Sequence, residues 1–174
     1  MLYYSLAGTR PPIERWVEQN YRLTGASAPD KAQIRADMRA ELEALAASVG
    51  DVGHLRISLR DANLSTYDPA YGEFTIGALS PGSTIPFQEY GQKIGIRLDN
   101  AHIAQIWKID PDRAREVLDK LGTYPRASIE VVLDVIDAVP SPNGGTITAR
   151  IAEYEIHDAR ERGVRIVRNT VPES

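Results

Sequence analysis

The chain has 174 residues, enough to bury well over half of its unfolded surface in one core, and a single domain spanning 1–174 is the expectation. With 43% hydrophobic and 25% charged residues it is neither disordered nor fibrous. A net charge of −4 leaves no basic stripe for phosphates, so nucleic acid is not an expected partner, and the lack of cysteine removes disulfides, thiolate zinc sites and a cysteine nucleophile together.

Met1 to Gly8 lacks the basic start of a signal peptide, and no apolar run reaches the roughly 20 residues that span a bilayer, so no transmembrane segment is expected. The chain is expected in the cytoplasm, or in the periplasm or outside if a leader has been removed. Ile13, Trp16, Val17 and Tyr21 recur at helical intervals after Pro11-Pro12, which predicts a short helix over 12–23. Ser27 with Asp30 has capping-box spacing and opens a second helix, whose stripe of Ile34, Met38, Leu42, Leu45 and Val49 predicts packing against a sheet.

From His54 the period becomes two: Leu55, Ile57 and Leu59 alternate with Arg56, Ser58 and Arg60. After the turn residues Tyr67 to Gly72, Glu73 to Ile76 reads as a second strand in a hairpin with the first. Ala78 to Gly91, with two prolines and two glycines, reads as loop with a short edge strand at 84–88. Strands follow over Ile94 to Leu98 and Ile103 to Ile109, with Asp99-Asn100 as the turn between them. Asp110-Pro111-Asp112 then caps a helix that Gly122 ends.

The C-terminal part is a long hairpin, Ala127 to His157, turning at Ser141 to Gly145. Ile129, Val131, Leu133 and Val135 share one face of its first strand, and Val132 and Ile136 make the other partly apolar, which predicts a central position. In the second strand the phase set by Ile147, Ala149 and Ile151 flips at Tyr154 and Ile156, predicting a β-bulge near Ala152 or Glu153, or a change of environment. A turn over 158–163 returns Val164 to Val167 as a last strand. The fold class is therefore α+β: a mainly antiparallel sheet with the C-terminal hairpin, two N-terminal helices, and one helix at about 111–121 packed on it.

No phosphate loop, dinucleotide fingerprint or nucleophile elbow is present, so no cofactor is implied. His54, His102 and His157 stand apart in sequence, without the spacing that sets two metal ligands on one helical face, and no metal site is expected. Asp61, Asp68, Asp99 and Asp110 each stand near a strand end and could converge there. Asp68, Asp99 and Asp110 also have ordinary duties in turns and a cap. Tyr67, Tyr71, Phe74, Phe87 and Tyr90 concentrate around the central turn and loop, either as a satellite core or as a binding surface.

The Tyr67-Asp68 turn with Gly72-Glu73-Phe74, followed by Ile106-Trp107-Lys108-Ile109-Asp110 and Ala114, resembles an uncharacterised bacterial family of unknown function, often found on envelope or exported proteins. That resemblance covers roughly the middle third of the chain, implies a bacterial envelope setting and brings no catalytic residues. Good fold punctuation without a chemical motif points to a non-enzymatic module for a protein or small-molecule partner, with Tyr67, Tyr71, Phe74, Phe87 and Tyr90 as binding residues. Self-association through the hairpin edge is compatible with it. The alternatives are a small hydrolase or lyase built around Arg97, Asp99 and His102, and a carrier of an apolar ligand held by Ile34, Met38, Leu55 and Ile57.

Overall fold

The computed structural model describes residues 1–50, 52–122, 124–161 and 164–172. It is mixed α+β. The helices are α1 (Leu2–Leu6), α2 (Ile13–Glu18), α3 (Ala28–Ser48), α4 (Ala101–Ala104) and α5 (Pro111–Leu121). The strands are β1 (His54–Leu59), β2 (Glu73–Thr75), β3 (Thr84–Glu89), β4 (Gln92–Leu98), β5 (Ile106–Lys108), β6 (Ala127–Ser141), β7 (Gly144–Asp158) and β8 (Arg165–Thr170). A six-stranded, mostly antiparallel sheet has the order β1-β6-β7-β4-β3 with β8 on β7, and β2 and β5 form a separate two-stranded sheet. The chain divides into two compact units, each assembled from three segments.

The first unit comprises Met1–Val52, Phe87–Ile94 and Asp137–Thr146. Its helix α3 begins as its sequence requires: the Ser27 side chain accepts from the Asp30 amide and donates to the Asp30 carboxylate. Met38 and Leu42 are buried against Trp16 and Val17 of α2, with Met1, Tyr4, Ile13 and Ile34 packed around them. Thus the stripe expected to meet a sheet meets α2 and α1 instead, and only its middle is buried: Leu45 is 46% exposed. The helix expected over 12–23 stops at Glu18, and Tyr21–Leu23 forms a 3-10 turn capped by Asn20.

Helix α1, which the sequence pattern does not announce, accounts for the paired glycines of the hairpin turn. Tyr3 is buried, its hydroxyl donates to the Gly144 carbonyl at 2.5 Å, and a Cβ at Gly145 would overlap its ring. Gly144 has φ of +141°, and a Cβ there would overlap the Lys93 carbonyl. The turn glycines thus serve close approach of backbone and ring as well as the reversal of the chain.

The second unit comprises Gly53–Pro86, Gly95–Ile136 and Ile147–Ser174. Strand β1 pairs antiparallel with β6 from His54↔Asp134 to Leu59↔Ile129. The hairpin expected between β1 and β2 is therefore absent; β2 pairs with β5, setting Phe74 opposite Trp107. The strand expected over 103–109 starts only at Ile106, because Ala101–Ala104 closes as a helical turn with the Asn100 carbonyl accepting from the Ile103 and Ala104 amides. Ile129, Val131, Leu133, Ile151 and Ile156 are fully buried on the sheet, and Ala114, Val117 and Leu121 of α5 are buried as well.

Strand β6 lies between β1 and β7, the central position its two-sided pattern predicts. The phase flip in β7 coincides with a change of partner on the edge away from β6. The Asp99 amide at the end of β4 bonds the Ala149 carbonyl, whereas β8 pairs with Glu153 to His157. Between them the buried Asn100 side chain takes both backbone groups of Ile151, accepting from its N–H and donating to its carbonyl, each at 2.8 Å. An amide mimics a strand residue where no strand is present. The register of β8 shifts at Ile156/His157, beyond the expected Ala152 or Glu153. The last strand, expected over 164–167, runs from Arg165 to Thr170; the preceding turn includes Arg162 and Gly163, which lie outside the described residues.

Candidate functional site

In the first unit, four aromatic rings follow one another from the hairpin turn outward. Tyr3 meets Tyr4 edge-on at 5.1 Å, Tyr4 meets Trp16 edge-on at 5.5 Å, and Trp16 stacks on Tyr90 at 5.2 Å with 23° between the planes. Each ring has a sequence reason for its place. Tyr4 and Trp16 face the α1–α2–α3 core, and Tyr90 occupies the β3–β4 turn before Gly91, with φ of +49°. The Tyr4 hydroxyl donates to Gln92 Oε1 at 2.7 Å; burial, with Tyr3 alongside, pushes this phenol above its usual range and keeps the donor protonated.

Past the Trp16–Tyr90 stack the surface opens into a hollow of about 450 Å3, lined by Trp16, Gln19, Asn20, Tyr21, Arg22, Met38, Glu41, Glu89, Tyr90 and Gly91. Trp16 is 3% exposed, Tyr90 40% and Tyr21 78%, so the wall grades from buried to wet. The Trp16 Nε1–H is enclosed and has no acceptor among the described residues. An unmet buried donor costs about 1–3 kcal/mol, so this wall is not finished as a core would be.

The charges around this hollow differ from those on the neighbouring helices. Glu14 binds Arg39 through two hydrogen bonds of 2.6 and 2.7 Å, and Glu18 binds Arg35 through two of 2.7 and 2.9 Å; these bonds hold both carboxyls below the usual range. Arg22, Glu41 and Glu89 form no ion pair with any described residue. All three are exposed. Four charges between α2 and α3 are thus used by the fold, and three at the hollow are not.

A second cluster lies in the second unit, on the half-buried face of β6 and β7. Ligand atoms of Glu130, Glu155 and His157 all fall within 4.8 Å of one another. His157 Nε2 is 3.3 Å from Glu155 Oε2 and makes no hydrogen bond. The acids are flanked by bases on the neighbouring strands: Arg56 of β1 reaches Glu130 at 3.2 Å, and Arg165 of β8 reaches Glu155 at 3.1 Å, with Arg168 at 3.7 Å. Burial raises the Glu155 carboxyl, but the Arg165 hydrogen bond and the charges of Arg165, Arg168 and His157 hold it below its usual range. Glu155 and His157 two apart on a strand are a legible same-face pair, which a search confined to helical spacings passes over. Three guanidiniums satisfy these carboxylates and would repel a cation, so the cluster reads as an ion-pair ladder.

The residues singled out in sequence are distributed between the units. In the second, Tyr67 and Phe74 pack at 5.3 Å and Phe74 and Trp107 at 5.1 Å, with Phe74 wholly buried, Trp107 4% exposed, and the Tyr67 hydroxyl donating to the Ile109 carbonyl. Tyr71 is exposed, and its carbonyl accepts from Lys108. Phe87 and Tyr90 belong to the first unit; Phe87 is on β3, partly exposed, and Tyr90 lines the hollow. Asp61, Asp68 and Asp110 accept from nearby backbone amides, and Asp99 meets Arg150 at 3.4 Å. The group suggested for hydrolysis does not converge: Arg97 turns to Thr148, Asp99 to Arg150, and His102 is exposed on α4. Of the residues suggested for an apolar ligand, Ile34 and Met38 join the α2–α3 core and Leu55 and Ile57 lie in β1.

No family model, no curated protein and no solved structure matches the chain.

Proposed function

We propose that this protein is a non-enzymatic binding module and that its site is the hollow beside Trp16 and Tyr90. One observation carries the reading: an aromatic stack opens onto a hollow whose three charged side chains are unpaired, beside helices whose own charges are paired in forks. The volume of about 450 Å3 suits a small molecule or a few residues of a peptide. A wall that passes from a buried indole to exposed tyrosines offers large contact area at small entropic cost. Tyr90 is the residue on which this reading and the sequence expectation coincide.

A thermal-shift screen of amines, sugars, carboxylates and short peptides on the intact chain, repeated on Tyr90→Ala, tests it. Ligands should raise the midpoint of the wild type and lose that effect in Tyr90→Ala. Stabilising ligands that act equally on both proteins would place the site elsewhere and overturn the reading, as would a screen in which nothing stabilises the wild type.

A further inference from the structure

We infer that the hollow selects an organic cation, an alkylammonium or guanidinium group; this rests on the hollow being the binding site. Glu41 projects from α3 and Glu89 from the end of β3, so carboxylates from two separate elements stand on one rim, neither paired to a base. Tyr90 and Tyr21 line the same hollow and are 40% and 78% exposed, and an aromatic face attracts a cation and gives nothing to an anion. Arg22 brings the rim to a net charge of −1, a position where it can meet an acceptor carried next to the cation. Gln19 and Asn20 also line the hollow. The hollow thus offers carboxylate acceptors for a cation and the Arg22 guanidinium for a neighbouring carbonyl.

A basic side chain within a peptide carries both groups; a free polyamine carries only the cation. The test uses a blocked tripeptide of lysine, spermidine and a blocked tripeptide of glutamate as probes. Binding is followed by Trp16 emission in Trp107→Phe, which leaves Trp16 as the one indole. At least one cation should bind saturably. Glu41→Gln/Glu89→Gln should weaken it about tenfold, as two partly screened charge interactions predict, and added salt should weaken it in the wild type more than in that variant. Tighter binding of the lysine peptide than of spermidine identifies a peptide source, and the reverse a free amine.

Preference for the glutamate peptide, or a cation affinity unchanged in the double carboxylate variant, overturns the inference. The site itself survives if the ligand that does bind is lost in Tyr90→Ala. A cation that binds Tyr90→Ala and the double variant as well as the wild type is held by the acidic surface in general, and then the hollow fails as a site too. Both glutamates are exposed and unpaired, so their replacement leaves folding intact.

Discussion

The two aromatic groups use the same residue types to opposite ends. Around β2 and β5, Tyr67, Phe74 and Trp107 close on one another; Phe74 is wholly buried, and the one hydroxyl finds the Ile109 carbonyl. Around α2 and the β3–β4 turn, Tyr3, Tyr4, Trp16 and Tyr90 form a row whose inner hydroxyls are bonded and whose outer end is open. The difference teaches that aromatic density alone is not a signal of function. On the proposed reading, what separates the two groups is whether polar tips and nearby charges are satisfied within the fold.

Substitution at the two centres should separate them most. Phe74→Ala removes a fully buried ring and should cost about 3–5 kcal/mol of stability. Tyr90→Ala removes a ring that is 40% exposed and should stay near 1 kcal/mol while abolishing ligand-induced stabilisation. Urea unfolding of both variants checks this. Equal losses would mean that the Trp16–Tyr90 stack is as much a core as the Phe74–Trp107 pair, and the comparison would collapse.

The next effect concerns one buried polar contact of the second unit, that of Asn100 with Ile151. Asn100→Ala leaves the N–H and the carbonyl of Ile151 unpaired in a buried position, at about 1–3 kcal/mol for each. Asn100→Asp retains the acceptor and should recover part of the loss at a pH where the carboxyl is protonated. Denaturation midpoints across acid pH would show it; the absence of any recovery would mean that the amide acts by shape alone.

These two sites also show what could be read from the residues. Binary pattern placed β1, β4, β6 and β7, and cap chemistry placed α3 and α5, because those signals are local. Pairing was not legible for β1 and β2: both have strand composition, and their partners, β6 and β5, are chosen by distant core residues. Asn100 looked like a turn residue because its second duty, to Ile151, depends on where β4 ends and β8 begins. At the candidate site Tyr90 was legible as a binding residue, and Met38 only as part of an apolar-ligand carrier. Glu41 and Glu89 look like ordinary solvated acids until α3 and the β3–β4 turn bring them to one rim.

A smaller effect tests whether the aromatic row is mechanically continuous. Gly145→Ala puts a methyl group into the Tyr3 ring, and overpacking of this kind costs about 1–3 kcal/mol. If Tyr3, Tyr4 and Trp16 move together, Trp16 emission should shift in Gly145→Ala on the Trp107→Phe background. Tyr3→Ala in the same chain should relieve the clash and return the emission towards its starting value. Emission that ignores both changes would reduce the row to separate neighbours.

The smallest effect comes from the charges that the fold already uses. Arg39 and Arg35 hold the Glu14 and Glu18 carboxyls below their ordinary range through hydrogen bonds, so the folded state releases those protons more readily than the unfolded chain does. Stability from the two forks is therefore present above the unfolded glutamate value of about 4.3 and is lost as pH falls through the lower folded values. Because all four side chains are substantially exposed, salt should shrink this acid-dependent loss. Glu14→Gln/Glu18→Gln should flatten the same part of the pH profile at low salt, whereas Glu41→Gln/Glu89→Gln should leave the unfolding midpoint at neutral pH unchanged, because among the described residues no ion pair depends on those two. If the rim pair proves as stabilising as the fork pair, its carboxylates are engaged by the fold and are not held free for a ligand.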